Sequence, residues 1–223
     1  DLWSAGDCGF AEAKYRDKDF QGAIADYNEA LRIFPKSVVA YGGRGIVKKQ
    51  QGDHAGAIAD CNEAIKLNPK YAVAYNNRAA AKCDQKDYAG AIADANTAIK
   101  LDPKYSMPYS NRGAAKHLLG DSQGALADFE KAVRLNPKNP LAYTNRAAIR
   151  YAIGDRNGVV TDCTKAIQLD PKIFDSYNTR GLARYKLGDF KGAVTDWEMA
   201  ISLKPSYKPQ IEKFLNEARS RAQ

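Results

Sequence analysis

The sequence predicts an all-α fold of tandem helix pairs, and the main observation behind this is a fixed period of 34 residues. Six prolines mark the period: Pro35, Pro69, Pro103, Pro137, Pro171 and Pro205. A unit of this size cannot bury its own apolar face, so neighbouring copies must stack as a solenoid. We therefore expect a single domain over residues 1–223, with repeats at 4–37, 38–71, 72–105, 106–139, 140–173 and 174–207.

Each repeat is predicted to contain two helices. In the copy at 72–105, small or aromatic residues recur at helical spacing in both halves. Four copies place Gly-Asp between the halves, where glycine suits the left-handed end of the first helix and aspartate suits the N-cap of the second. These pairs are Gly52-Asp53, Gly120-Asp121, Gly154-Asp155 and Gly188-Asp189. The repeated proline then ends the second helix.

The residues after the last repeat, 208–223, predict one more helix. Ile211, Phe214, Leu215 and Ala218 fall at i, i+3, i+4 and i+7, with charged residues elsewhere in the segment. This one-sided pattern indicates a helix that covers the last repeat and caps the solenoid.

Composition narrows the function classes. No stretch approaches the roughly 18 apolar residues that a membrane span needs, so we expect no membrane span. The scattered cysteines suit a reducing compartment, and we expect a cytoplasmic protein. Because the chain begins at Asp1 instead of methionine, a removed leader or a larger parent protein stays open. The four cysteines lack CxxC spacing, and Cys61 and Cys163 occupy a packing place in the second helix. Only two histidines occur, so we expect no metal site and no cofactor.

Charged residues also follow the period. The seventh place holds Arg44, Arg78, Arg112, Arg146 and Arg180, and the second helix holds Asp26, Asp60, Asp94, Asp128, Asp162 and Asp196. Arginine and aspartate suit two-pronged hydrogen bonding, so we predict structural ion pairs, within a repeat or between neighbours. A further cation recurs late in the first helix, where we expect a solvated structural role or, alternatively, a basic binding stripe: Lys14, Lys48, Lys82, Lys116, Arg150 and Arg184.

Together, the tyrosine that opens the first helix, the glycine or alanine four residues later, Ala91, Ala98 and Pro103 resemble the tetratricopeptide repeat. The resemblance covers all six units, although arginine stands at the seventh place where that family usually has leucine. It implies a right-handed superhelix of antiparallel helix pairs. It also implies a non-enzymatic scaffold whose first helices line a concave groove for a partner protein or peptide.

The resemblance places the second, fifth, sixth, ninth, twelfth and thirteenth residues of each unit in that groove. Asn77, Asn111 and Asn145 hold the sixth place in three consecutive copies, and an asparagine ladder can bracket the backbone of an extended peptide. The alternative is that these amides only bond the neighbouring helix. Further predicted contacts are Asn76, Asn178, Tyr151, Tyr185, His117, Val73, Met107 and Leu141.

The sequence also bears on other functions. The lysine and arginine clamp of tetratricopeptide co-chaperones is absent, because the second places are mostly apolar and the sixth places contain no arginine. The net charge of +8 leaves nucleic-acid or anionic-surface binding as an alternative. A self-assembling solenoid, and hence a homo-oligomer, is a second alternative. No constellation at catalytic spacing appears, so an enzyme is not predicted.

Overall fold

The computed structural model describes residues 11–222, and those residues contain helices and turns but no strand. They form two compact units, which divide between Leu119 and Gly120. The start of the repeat predicted at 4–37 and the last residue of the cap predicted at 208–223 lie outside the described residues. A single continuous domain of six repeats stays a prediction.

Unit 1 consists of helix pairs whose starts recur at the predicted period. Its helices are α1 (residues 11–16), α2 (Phe20–Ile33), α3 (Val38–Gln50), α4 (His54–Leu67), α5 (Ala72–Asp84), α6 (Tyr88–Leu101) and α7 (Ser106–Leu118). Each helix from α2 onward packs against the next one in sequence within the unit, and α5 also packs against both α3 and α7. The first helices of successive repeats are therefore neighbours, as a helix-pair solenoid requires.

Unit 2 follows the same plan. Its helices are α8 (Ser122–Leu135), α9 (Pro140–Ala152), α10 (Arg156–Leu169), α11 (Phe174–Lys186), α12 (Phe190–Leu203), a short 3₁₀ turn (Pro205–Tyr207) and α13 (Lys208–Arg221). Consecutive helices pack together, and α9 also packs against α11. The last helix buries Ile211, Leu215 and Ala218 beside Trp197, whereas Phe214 stays partly exposed.

Turn chemistry explains where the helices end. Gly52 takes a φ of +83°, which is the left-handed conformation predicted for this place. The carboxylate of Asp53 then accepts a hydrogen bond of 2.8 Å from the backbone nitrogen of Gly56, and this bond caps α4. The equivalent aspartates cap the second helices of the other copies: Asp19, Asp87, Asp121, Asp155 and Asp189.

Within each unit, the core lies between the packed helices and consists mainly of small side chains. Alanines recur as fully buried residues in the second helices, so neighbouring helices can approach closely. Cys61 and Cys163 lie in this core, as predicted, and burial raises the pKa of both thiols to about 12. Among the described residues, no helix has the length and hydropathy that crossing a bilayer demands.

Candidate binding face on the first helices

In each unit the first helices present a surface that we call the first-helix face of that unit. It consists of the second, fifth, sixth, ninth and twelfth places of α3, α5 and α7 in unit 1, and the same places of α9 and α11 in unit 2. Large apolar side chains at the second place are left partly in solvent: Val39 is 51% exposed, Met107 49% and Leu141 60%. In three different repeats, helix packing therefore leaves an apolar side chain at the second place exposed to solvent.

The predicted asparagines of unit 1 are linked by their amides. Asn111 donates from Nδ2 to Oδ1 of Asn76 at 2.8 Å, and Asn76 donates from Nδ2 to Oδ1 of Asn77 at 3.3 Å. Asn76 is only 2% exposed, so its amide supports Asn77 and Asn111 from below. This burial removes Asn76 from the residues that we propose to contact a partner. Nδ2 of Asn77 is enclosed and has no hydrogen-bond partner among the described residues.

The predicted asparagines of unit 2 differ from each other. Asn145 is exposed on α9, and its side chain makes no hydrogen bond with any residue that the structure describes. Asn178 is half-buried on α11 and donates to the hydroxyl of Tyr207 at 3.3 Å. Asn145 is therefore exposed to solvent, whereas Asn178 joins α11 to the turn before α13.

Tyr151 and Tyr185, predicted as anchors for a partner, have packing roles. The guanidinium of Arg156 lies over the Tyr151 ring at 3.9 Å from its centroid. The Tyr185 ring lies 5.7 Å from Trp197 and 6.0 Å from Phe214, between centroids. Both tyrosines therefore consolidate their own unit, and we take them out of the proposed contact set.

Two other predicted residues also have definite positions in the structure. His117 is half-buried in the last turn of α7, where a histidine suits the helix C-terminus. Val73 is half-buried at the start of α5 and lines a cavity that the sequence prediction missed.

This cavity, which we call the tyrosine cavity, has a volume of about 290 Å³ and lies in unit 1. Its walls come from the first three repeats: Glu12, Tyr15, Tyr27, Val39, Gly42, Gly43, Ile46, Val47, Tyr71 and Val73. Most of these residues occupy places that were predicted to face the groove. The available signal was the pair of glycines in α3, which suggests a close approach to the backbone.

The two glycines make the cavity in different ways. A Cβ atom on Gly43 would lie 2.6 Å from Cε1 of Tyr27 and closer still to its hydroxyl, so glycine is required there for Tyr27 to occupy its place. A Cβ atom on Gly42 would meet only the Tyr71 ring, at 3.4 Å, which is an ordinary contact. The missing side chain at Gly43 therefore makes room for the ring of Tyr27, whereas the missing side chain at Gly42 leaves part of the cavity empty.

Below the first-helix face, one ion-pair arrangement recurs in the repeats. In the third repeat, Arg78 reaches Asp94 with a 2.6 Å contact from Nη2, and Lys82 holds the other oxygen at 2.7 Å. The carboxylate is almost fully buried, so its two cations compensate its charge. Hydrogen bonding to Asp94 raises the pKa of Arg78, despite the opposing effect of burial.

Each described example of this arrangement pairs the arginine with an aspartate of the same repeat. The distances from arginine Nη2 are 2.6 Å for Arg44–Asp60, 2.6 Å for Arg146–Asp162 and 2.7 Å for Arg180–Asp196. The arginine also reaches back to the preceding repeat, since Nη1 of Arg78 donates to Oδ1 of Asn62 at 2.6 Å. Arg44, Arg78 and Arg180 therefore join the two helices of their own repeat and connect them to the repeat before.

The structure corrects the expectation for the second cation that contacts each aspartate. The cations late in the first helix were predicted to be solvated, but they are partners of the same aspartates, and most of them are half-buried. These contacts are Lys14–Asp26, Lys48–Asp60, Lys82–Asp94, Arg150–Asp162 and Arg184–Asp196, at 2.7–3.0 Å. A basic stripe for nucleic acid would need these charges to be free, so the geometry does not favour that alternative.

Comparison with known proteins is consistent with this architecture. A family model described as the ETO1 C-terminal domain matches residues 13–180. The chain belongs to this family. In the structure, the ETO1 C-terminal domain match extends from α1 into α11. No curated protein sequence matches the chain.

Several solved tetratricopeptide repeat structures resemble this member of the ETO1 C-terminal domain family. TTC0263, a thermophilic protein of Thermus thermophilus, has a TM-score of 0.73 at 18% identity, covering 81% of this chain and 98% of that one. For pilF of Pseudomonas aeruginosa the TM-score is 0.80 at 19% identity, with coverages of 96% and 97%. YrrB, described as a tetratricopeptide repeat protein with an unusual peptide-binding site, gives 0.58 at 17%, with coverages of 80% and 92%. These likenesses confirm the predicted repeat and its all-α fold.

Proposed function

We propose that this chain is a non-enzymatic protein-interaction scaffold in which the first-helix face of each unit binds an extended segment of a partner protein. The observation that carries the proposal is the recurrence of exposed apolar side chains at the second place of the repeat, at Val39, Met107 and Leu141. A single exposed leucine is ordinary, but recurrence at one structural place is typical of a surface that binds something.

The amides on the same face suit an extended peptide. Asn145 offers a donor and an acceptor in solvent, and Asn111 is held in place by its bond to the buried Asn76. An amide of this kind can hydrogen-bond to a peptide group whatever side chain that residue carries. Each such bond contributes about 0.5–1.5 kcal/mol, so apolar contacts must supply most of the affinity. Asn111 lies on α7 with Met107, and Asn145 lies on α9 with Leu141, so each unit offers an amide and an apolar side chain on one helix.

The similarity in fold to YrrB adds support to this proposal, but the proposal does not depend on it. YrrB is described as having an unusual peptide-binding site, and it shares the tetratricopeptide repeat fold with this chain. We also propose a cytoplasmic location, which follows from the sequence expectation alone.

The proposal is tested by capturing partners from a cell lysate with three forms of the chain and quantifying the captured proteins by mass spectrometry. The first is the native chain. The second carries Val39→Ser, Met107→Ser and Leu141→Ser, and the third carries Asn77→Ala, Asn111→Ala and Asn145→Ala. We expect specific partners on the native chain, strong loss with the serine variant, and partial loss with the alanine variant.

A matched control keeps the test specific. Leu101 and Met199 are exposed apolar residues on second helices, so Leu101→Ser with Met199→Ser removes similar surface away from the first-helix face. This control should capture the same partners as the native chain. Equal capture by all variants, or capture of nucleic acid that moderate salt releases, would contradict the proposal.

A further inference from the structure

The tyrosine cavity has a lining that distinguishes it from the rest of the first-helix face. Its lining includes three tyrosines, Tyr15, Tyr27 and Tyr71, of which Tyr27 is almost fully buried, together with aliphatic side chains such as Val39 and Ile46. Aromatic faces attract cations because the ring quadrupole is negative above and below the plane. The aliphatic side chains favour a methylene stem.

The charged residues around the tyrosine cavity also favour a positively charged guest. Glu12 is exposed and lines the cavity, and none of the described residues that line it is a cation. Of the cations on α1 and α3, Lys14 lies 2.8 Å from Asp26, Lys48 2.9 Å from Asp60 and Lys49 3.3 Å from Asp84, whereas Arg16 is exposed one turn after Glu12. A positively charged guest would therefore meet one carboxylate and tyrosine rings, with the neighbouring lysines neutralised by aspartates.

Size limits the guest further. A volume of about 290 Å³ is at the small end of the range for ligand sites, so the cavity suits one long side chain. Lysine and arginine combine an aliphatic stem with a cationic head, and they routinely bury the stem while the head stays near water. The exposed position of Glu12 provides such a place for the head.

From these observations we propose that the tyrosine cavity binds a lysine or arginine side chain of the partner segment. The stem packs between Val39, Ile46 and the rings, and the head pairs with Glu12. This inference rests on the proposed function, because it names the side chain that the scaffold selects at one end of its face.

The test is an NMR titration of the full chain with a short probe, the pentapeptide acetyl-Gly-Ser-Lys-Ser-Gly-amide. Two matched probes replace lysine by norleucine, which keeps the stem but lacks the charge, and by glutamate. We expect the backbone amides of Gly42, Gly43 and Glu12 to shift with the lysine probe. Its dissociation constant should be about fivefold lower than that of the norleucine probe, the size expected for an exposed cation–π contact with a nearby carboxylate.

Variants of the chain locate the effect. Gly42→Leu fills the cavity and should abolish the shifts at these amides, while circular dichroism shows that the chain is still folded. Glu12→Gln should reduce the preference for lysine over norleucine. Glu63→Gln removes an exposed glutamate from α4, outside the cavity, and should leave that preference unchanged.

Each other outcome overturns the assignment. Equal or tighter binding of norleucine would make the cavity an apolar site, and binding of glutamate would reverse its charge preference. An absence of shifts at the three amides with every probe would also reject it. The scaffold proposal is decided separately: if the serine variant loses partners but Gly42→Leu keeps them all, the scaffold stands and the cavity has no role in it.

Discussion

In helix α3 of the second repeat, the fifth and sixth places hold Gly42 and Gly43, whereas in α5 of the third repeat they hold Asn76 and Asn77. Without side chains at these places, α3 borders a cavity into which Tyr27 from the first repeat projects. In α5 the same places are filled by amides, one of them buried. Two helices of one unit thus present different surfaces at equivalent positions.

The ion pairs inside the same two repeats are nearly identical. Arg44 lies 2.6 Å from Asp60 and Arg78 lies 2.6 Å from Asp94, and the lysine contacts are 2.9 and 2.7 Å. The places that hold the ion pairs therefore fix how the helices pack, whereas the fifth and sixth places of the first helices vary at the surface. We therefore look for the function in the variable places of the first helices.

The largest expected effect is on the shared interior. Asp94→Asn leaves the cations Arg78 and Lys82 without their counter-charge in a largely buried position. We expect it to lower the free energy of unfolding by about 3 kcal/mol, measured by urea denaturation.

Asp60→Asn should cost a similar amount, because its surroundings in the second repeat are the same. Glu63→Gln breaks an exposed contact with Lys66 and should cost less than about 1 kcal/mol. A large loss for only one of the two aspartate variants would show that the two interiors are not equivalent.

A second prediction concerns the glycine that admits Tyr27. Gly43→Ala places a methyl group 2.6 Å from Cε1 of the Tyr27 ring, so we expect a loss of about 1–3 kcal/mol despite alanine's better helix propensity. The measurement is the urea midpoint of the variant against the native chain.

The same change made in a Tyr27→Leu background should cost little or nothing, because the ring that collides with the new methyl group is gone. If Gly43→Ala costs as much with leucine at this place, the destabilisation does not come from that contact.

A third prediction has the opposite sign. Gly42→Ala adds a methyl group in ordinary contact with Tyr71, at 3.4 Å, so helix propensity dominates. We expect the free energy of unfolding to rise by about 1 kcal/mol. A loss of stability would mean that the space beside Gly42 is not open.

The smallest effect comes from the turns that follow the two helices. Gly52 after α3 has a φ of +83°, and Lys86 after α5 has a φ of +66°, where a side chain is strained. Lys86→Gly should raise stability by about 0.5–1 kcal/mol, because it relieves this strain. Lys86→Ala retains the Cβ atom and should give no such gain, and the thermal midpoints of the two variants make the comparison.

Much of the fold could be predicted from the sequence because its signals are local. Proline spacing sets the period, glycine permits the left-handed turn, and an aspartate caps the helix three residues before the amide it binds. The pairing of Arg78 with Asp94 was predictable for the same reason, since both recur once per repeat. The sequence did not show that this pair joins the two helices of one repeat, and the structure was needed to establish it.

The features that were missed depend on how different helices face each other. Lys82 shares Asp94 with Arg78 because one helical turn separates the two cations on α5, but the sequence does not show which face meets α6. Tyr151 and Tyr185 are half-buried because Arg156 and Trp197 on neighbouring helices lie against their rings. The tyrosine cavity arises from absent side chains in α3 and a ring from α2, so no single segment encodes it.

The most direct test of the central claim is a peptide selection on the native chain, followed by affinity measurements on variants. Random extended peptides would be selected by display and their dissociation constants measured for the native chain, for Gly42→Leu and for Leu101→Ser. We predict that the selected peptides contain lysine or arginine and bind about tenfold more weakly to Gly42→Leu than to the native chain. Their dissociation constants for Leu101→Ser should equal those for the native chain. Unchanged binding to Gly42→Leu, with weakened binding to Leu101→Ser, would place recognition on the second helices and contradict the central claim.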